Sequence, residues 1–175
     1  MGNIFLVGMM GAGKTTVGRV LAQRLQMRFV DTDKLLVERT GVPIATVFEI
    51  EGEEGFRRRE TCVLAEASLG EECVIATGGG SVLAAENREL MRRRGTVVYL
   101  RARVESLWQR MRHDTTRPLL ATPDPRRTLE ELVAARDPLY HQAAHLVVDT
   151  GAQTASTLVN RVIAALRDQS ARATS

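Results

Sequence analysis

The chain has 175 residues, 44% hydrophobic and 26% charged, which suits one globular domain with a full core. No apolar run of about 18 residues is present, which excludes a membrane-spanning helix, and the opening residues lack a secretory leader's basic and apolar regions, so a cytoplasmic location is expected. The net charge is only +3 with acids and bases interspersed, so a small acidic ligand fits better than a nucleic acid.

Residues 3–7, NIFLV, form a short run rich in β-branched and aromatic side chains that predicts a buried strand. The stretch GMMGAGKT follows at 8–15, and Gly8, Gly13, Lys14 and Thr15 satisfy G-x-x-x-x-G-K-[ST], the phosphate-binding loop. Glycines let successive backbone N–H groups converge on a phosphate, and the following helix points its positive dipole end at the same anion. Lys14 is suited to the β/γ-phosphates and the Thr15 hydroxyl to Mg²⁺. Only two lysines occur in the chain, Lys14 and Lys34, and one of them stands at the motif's required place. The dinucleotide fingerprint fails, because Thr16 occupies the position of its third glycine. A nucleoside triphosphate is therefore the expected ligand.

The spacing of Val17, Val20, Leu21 and Leu25 predicts a helix over 14–27 with one stripe against a sheet. A strand at 28–30 ends in Asp31-Thr32-Asp33, at the sheet end where open α/β folds bind ligands. Asp31 or Thr32 can cap a helix at 34–39. Capping explains one acid but hardly both, so one is expected beside a metal and the other beside a substrate hydroxyl. Gly41 stops that helix, and Pro43 opens another at 44–50. A polar break at 51–55 precedes a helix at 56–69 that begins with Arg57, Arg58 and Arg59. Cations at a helix N-terminus oppose the dipole, so Arg57 calls for an anionic partner, either Glu60 or an acidic ligand. Arg58 and Arg59 read as solvated. The strand at 73–76 ends in Gly78-Gly79-Gly80 instead of an acid, which implies a close approach to the backbone, a ligand-facing floor.

A helix at 84–94 ends at Gly95, a strand follows at 96–100, and a helix at 104–112. Residues 113–125, HDTTRPLLATPDP, lose periodicity and read either as an active-site lid carrying Arg117 or as an ordinary exposed loop. Helix 128–135 is expected to end near 136–140, where a new helix opens; a strand at 145–149, a helix at 154–166 and a frayed polar tail from 168 complete the chain. Strands alternating with helices predict a three-layer α/β/α sandwich around a central five-stranded parallel sheet, in one domain. Cys62 and Cys73 read as two reduced core thiols, and the three histidines lack metal-ligand spacing.

Taken together, GMMGAGKTTVGR, DTD at 31–33, GFRRRE around Arg57, GGG at 78–80, RPLL at 117–120, RDPLY at 136–140 and VVDT before the last helix resemble the shikimate kinase family over nearly the whole chain. The resemblance implies a phosphate-loop fold like that of nucleoside monophosphate kinases, with a lid at about 112–125 and acid-binding helices at about 32–62. It implies transfer of the ATP γ-phosphate to the 3-hydroxyl of shikimate, in the pathway to chorismate and the aromatic amino acids. Gly11, Ala12, Gly13, Lys14, Thr15 and Thr16 would cradle the triphosphate, with Thr15 on Mg²⁺ and Asp31 acting on the metal through water. Asp33 would hold shikimate hydroxyls and orient or deprotonate the attacking one. Arg57 and Arg136 would grip the carboxylate, beside Gly78, with the N–H groups of Gly79 and Gly80. Arg117 would close onto the phosphates, and Arg110 and Gln153 would lie along the adenine. ATP, Mg²⁺ and shikimate are thus the implied ligands of a monomer.

Two departures from the family pattern stand out: Met9-Met10 inside the loop, where smaller residues or Pro are common, and Gln153, where some members have Arg. Two other classes remain open at this point. A gluconate or nucleoside monophosphate kinase would share the phosphate loop and could use Arg57 and Arg136, so DTD and GGG discriminate. A nucleotide-dependent switch would not need a second site for a small acid.

Overall fold

The computed structural model describes residues 2–114 and 121–174. Five strands, β1 (Asn3–Val7), β2 (Arg28–Asp31), β3 (Cys73–Ala76), β4 (Gly95–Arg101) and β5 (Leu146–Asp149), form one parallel sheet in the order β2-β3-β1-β4-β5. All residues of β1 and β3 are buried, as expected of inner strands covered on both faces, and this is why β3 and, after Asn3, β1 are apolar throughout and do not alternate. Helices α1 (Lys14–Leu25) and α7 (Ala155–Ala173) pack together on one face, and α4 (Ala85–Arg94) and α6 (Pro125–Ala143) on the other. The expected three-layer α/β/α architecture is therefore the one observed.

The register aligns the functional loops. Asp31 lies opposite Ala76, and Ala76 opposite Leu6, so β1, β2 and β3 end level with one another. Because β3 runs between β2 and β1, the glycines after β3 fall between the DTD segment and the phosphate loop. Helices α2 (Thr32–Thr40) and α3 (Ile44–Ala67) stand at this edge on their own small core of Leu36, Val47, Phe56 and Val63. The Phe48 and Phe56 rings stack within it at 4.5 Å.

Several element boundaries differ from expectation. The polar break at 51–55 is a single kink inside α3, where Gly52 takes φ 69° and ψ −177° and helical geometry resumes on either side. Helix α6 continues through Pro138, where a new helix was expected to open near 136–140. Proline costs one ladder hydrogen bond, but burying Arg136, Tyr140 and Ala143 along one face holds the helix together. Helix α7 extends to Ala173, so the expected frayed tail from 168 is helical. Cys73 is buried as expected but Cys62 is exposed, so only one of the two free thiols belongs to the core. Arg58 and Arg59 are exposed as expected, and ion-paired to Glu54 and Glu51. Arg117 and the centre of the expected lid lie outside the described residues.

Candidate active site

The phosphate loop turns on glycine geometry. Gly13 is the N-cap of α1 in the left-handed region, at φ 94°, which only glycine adopts without strain, and Ala12 N–H closes the loop onto the Met9 carbonyl at 3.1 Å. Lys14 is buried and its Nζ donates to the carbonyls of Gly8 at 2.6 Å and Met9 at 2.9 Å, so the ammonium is held over the loop from within. Met9 is buried in the core and Met10 packs against it, so both bulky residues of this loop have apolar surroundings. The Thr15 hydroxyl donates to Asp31 Oδ2 at 2.8 Å. Asp31 Oδ1 accepts from the N–H groups of Asp33 and Lys34, at 3.0 and 3.4 Å, so Asp31 is the N-cap of α2. One carboxylate thus performs two tasks, capping with one oxygen and meeting Thr15 with the other. This hydroxyl and carboxylate are hard oxygen donors beside a phosphate-binding helix terminus and fit Mg²⁺, which takes few protein ligands and completes its shell with water and phosphate. Among the described residues there is no cluster of three or more His, Cys, Asp or Glu able to hold a metal by itself.

The three glycines form a floor on which charged side chains converge. A Cβ on Gly78 would stand 2.5 Å from Glu60 Oε2 and 3.1 Å from Asp33 Oδ1. One on Gly79 would stand 3.6 Å from Arg136 Nη1 and 3.2 Å from the Met10 nitrogen, and one on Gly80 would overlap the Arg57 guanidinium. The bare backbone at Gly78 and Gly80 thus leaves room for Glu60, Asp33 and Arg57 in their observed positions, with Arg136 in ordinary contact beside Gly79. Arg57 donates to Glu60 Oε1 at 2.9 Å and lies over the Phe56 ring at 5.0 Å. Burial pushes the Glu60 carboxyl above the usual range, opposed by Arg57 and Ser81 and reinforced by Asp33. Arg136 is only 3% exposed, yet among the described residues its Nη1 has no hydrogen-bond partner. A buried guanidinium with an unused donor, beside a glycine floor, is arranged to receive an anion, and its planar fork matches a carboxylate.

Arg110 and Gln153 meet on the other side of the phosphate loop. Arg110 bridges the carbonyls of Gly11 and Gly151 at 2.8 and 3.0 Å, and Gln153 Nε2 donates to the Asp149 carbonyl at 3.2 Å. Both line a cavity of about 320 Å³ together with Gly11, Gly13, Thr16 and Leu158. A larger cavity, about 850 Å³, opens at the ends of β4 and β5. No phosphate-loop residue lines it, so the smaller cleft is the better nucleotide candidate.

Two further residues belong to this constellation. Thr32 is buried, and its hydroxyl donates to the Ala76 carbonyl and accepts from Gly78 N–H at 3.2 Å, stitching DTD to the glycine floor. Tyr140 is wholly buried and donates to the Gly79 carbonyl. Thr32 looks like a spare cap in the sequence; Tyr140 stands there as the last residue of RDPLY, four after Arg136 on the same helix face, with no role of its own.

Comparison with known proteins agrees with this arrangement. A family profile described as shikimate kinase matches residues 10–167. A shikimate kinase of Nitrosospira multiformis is 59% identical over 150 residues, covering 86% of this chain and 77% of the relative. One of Methylococcus capsulatus is 53% identical over 170 residues, covering 97% and 95%. Among solved structures, shikimate kinase from Acinetobacter baumannii in complex with shikimate has a TM-score of 0.94 at 45% identity, covering 97% of this chain and 94% of that one. A gluconokinase from Sinorhizobium meliloti, with a TM-score of 0.65 at 20% identity over 99% of this chain and 95% of that one, shares the fold alone. The chain therefore belongs to the shikimate kinase family, ATP-dependent kinases that transfer phosphate to shikimate.

Proposed function

We propose that this chain transfers the γ-phosphate of ATP to the 3-hydroxyl of shikimate, with the roles distributed as follows. Arg57 and Arg136 grip the shikimate carboxylate, and the N–H groups of Gly79 and Gly80 complete that cradle. The observation that carries this reading is the buried Arg136 guanidinium with an unused Nη1, beside Gly79 and one loop away from the phosphate site. Asp33, facing Gly78 across the same floor, orients the attacking hydroxyl and receives its proton as the O–P bond forms. The loose transition state of phosphoryl transfer asks little of a base, so position matters more than basicity here.

Residues 11–16 cradle the triphosphate through backbone N–H groups, and Lys14 neutralises its outer oxygens. Arg110 and Gln153 flank the adenine in the cleft described above. Thr15 directly, and Asp31 through water, would hold Mg²⁺, which supplies charge neutralisation at the phosphate oxygens. Segment 112–125 acts as the lid that excludes water and brings Arg117 to the phosphates, while helices over 32–62 carry the acid site; this part rests on the family resemblance and on the aperiodic sequence. We infer one cytoplasmic domain acting as a monomer. No helix of the described residues is long and apolar enough to cross a membrane, and both described cysteines are free thiols.

Phosphorus-31 NMR of the purified product tests the regiochemistry. A phosphate resonance coupled to the C3 proton of the ring is expected. Coupling to the C4 or C5 proton instead would contradict the placement of Asp33.

A further inference from the structure

We propose that Tyr140 is the positioning residue of the carboxylate cradle: it fixes the peptide plane between Gly79 and Gly80 and so aims the Gly80 N–H. The proposal rests on the acid-site reading above and adds a residue to it. A stretch of three glycines has no side chains to define its backbone, and each glycine has wide φ/ψ freedom. Turn bonds from Ser81 N–H to the Gly78 carbonyl and from Leu83 N–H to the Gly80 carbonyl, each 3.1 Å, fix the peptides on either side, and the Gly79 carbonyl between them is held from outside the loop. The Tyr140 hydroxyl donates to the Gly79 carbonyl, which shares one rigid trans peptide with the Gly80 N–H. Anchoring the oxygen on one side of that plane therefore orients the donor on the other.

Tyr140 is itself held firmly. It is wholly buried one helical turn after Arg136, its ring stacks on Tyr99 at 4.8 Å, and the Tyr99 hydroxyl donates to Asp137 at 2.7 Å. The Tyr140 hydroxyl also contacts Met9 Sδ at 3.5 Å, which ties the floor to the phosphate loop. Burial pushes its pKa up to about 12, against the pull of Arg136, so the group stays a donor at every working pH. Both determinants of the cradle, the Gly80 N–H and the Arg136 fork, are thus referred to one side chain.

The test is steady-state kinetics of Tyr140→Phe, which keeps the stacked ring and removes only the hydroxyl. KM for shikimate is expected to rise about tenfold, the scale of one oriented hydrogen bond, while kcat and KM for ATP change far less. Binding of a neutral analogue carrying CH₂OH in place of the carboxylate, measured as an inhibition constant, should be the same in both enzymes. An analogue too weak to inhibit either enzyme marks full reliance on the carboxylate and supports the cradle, and the KM split alone then decides. Equal weakening toward shikimate and ATP, or an unchanged shikimate KM, would overturn the role of Tyr140 while leaving the acid site standing. A wild-type enzyme that binds shikimate and the neutral analogue equally well would overturn both.

Discussion

Arg136 illustrates how one residue can be costly to the fold and useful to the site. A guanidinium that is 97% buried with an idle donor is destabilising in isolation, since a buried charge needs a full set of partners. In the proposed role, a ligand carboxylate supplies the missing partner and recovers that penalty on binding. Arg136→Ala should therefore raise KM for shikimate by roughly 10- to 100-fold, the worth of a charge-assisted pair, and leave ATP affinity nearly unchanged. Arg136→Lys should recover little, because an ammonium cannot present two parallel N–H groups to a planar acid. Titration calorimetry with each substrate separates the effects. Loss of ATP binding with shikimate binding intact would contradict the assignment. Arg57 differs from Arg136 in being already paired to Glu60, so it works as half of a preset ion pair.

At the scale of elements, the level ends of β1, β2 and β3 do most of the assembly, and the glycine floor lets the charged groups in. Gly80→Ala puts a methyl into the Arg57 guanidinium and should raise KM for shikimate by about tenfold with a smaller effect on stability, because a flexible side-chain end can retreat. Thermal melting read beside the kinetics checks this; a large loss of stability with an unchanged KM would contradict it. The strands, the phosphate loop and the parallel sheet were legible in the sequence because their signals are local: apolar runs of strand length, and a motif with fixed spacing. Helix α6 was less legible, since only long-range burial of Arg136 and Tyr140 outweighs Pro138. The kink at Gly52 looked like a break because one left-handed glycine and a run of acids resemble a loop. Arg57 and the three glycines were legible from helix-dipole and backbone arguments and Arg136 through the family's motifs, whereas the work of Thr32 and Tyr140 depends on neighbours more than 40 residues away in sequence. That Asp31 both caps α2 and meets Thr15 was not legible, because capping and the metal-side role looked like tasks for separate acids.

For the whole molecule, the buried carboxyl of Glu60, with the half-buried Asp33 nearby, leaves a signature in the dependence of stability on pH. Burial raises the native pKa of Glu60 above its unfolded value of about 4.5, so the native state binds this proton more tightly than the unfolded chain. Its contribution to stability is then greatest below the unfolded value, falls as pH rises through the native pKa, and levels off above it. Glu60→Gln lacks that titration, so wild type should lose stability relative to the variant across this window and run parallel to it at higher pH. Urea unfolding of both proteins across the acid-to-neutral range checks the sign, and curves parallel throughout would contradict it. The whole arrangement, a triphosphate loop and a small-acid cradle joined by one glycine floor, makes a single claim: two substrates are held side by side for phosphoryl transfer. The most direct measurement is ADP release from MgATP with shikimate, gluconate or nucleoside monophosphates offered in turn as acceptor. Stimulation by shikimate alone is expected, at about 1–100 turnovers per second. Tight ATP binding with no acceptor-dependent turnover, or stimulation by gluconate in preference to shikimate, would contradict it.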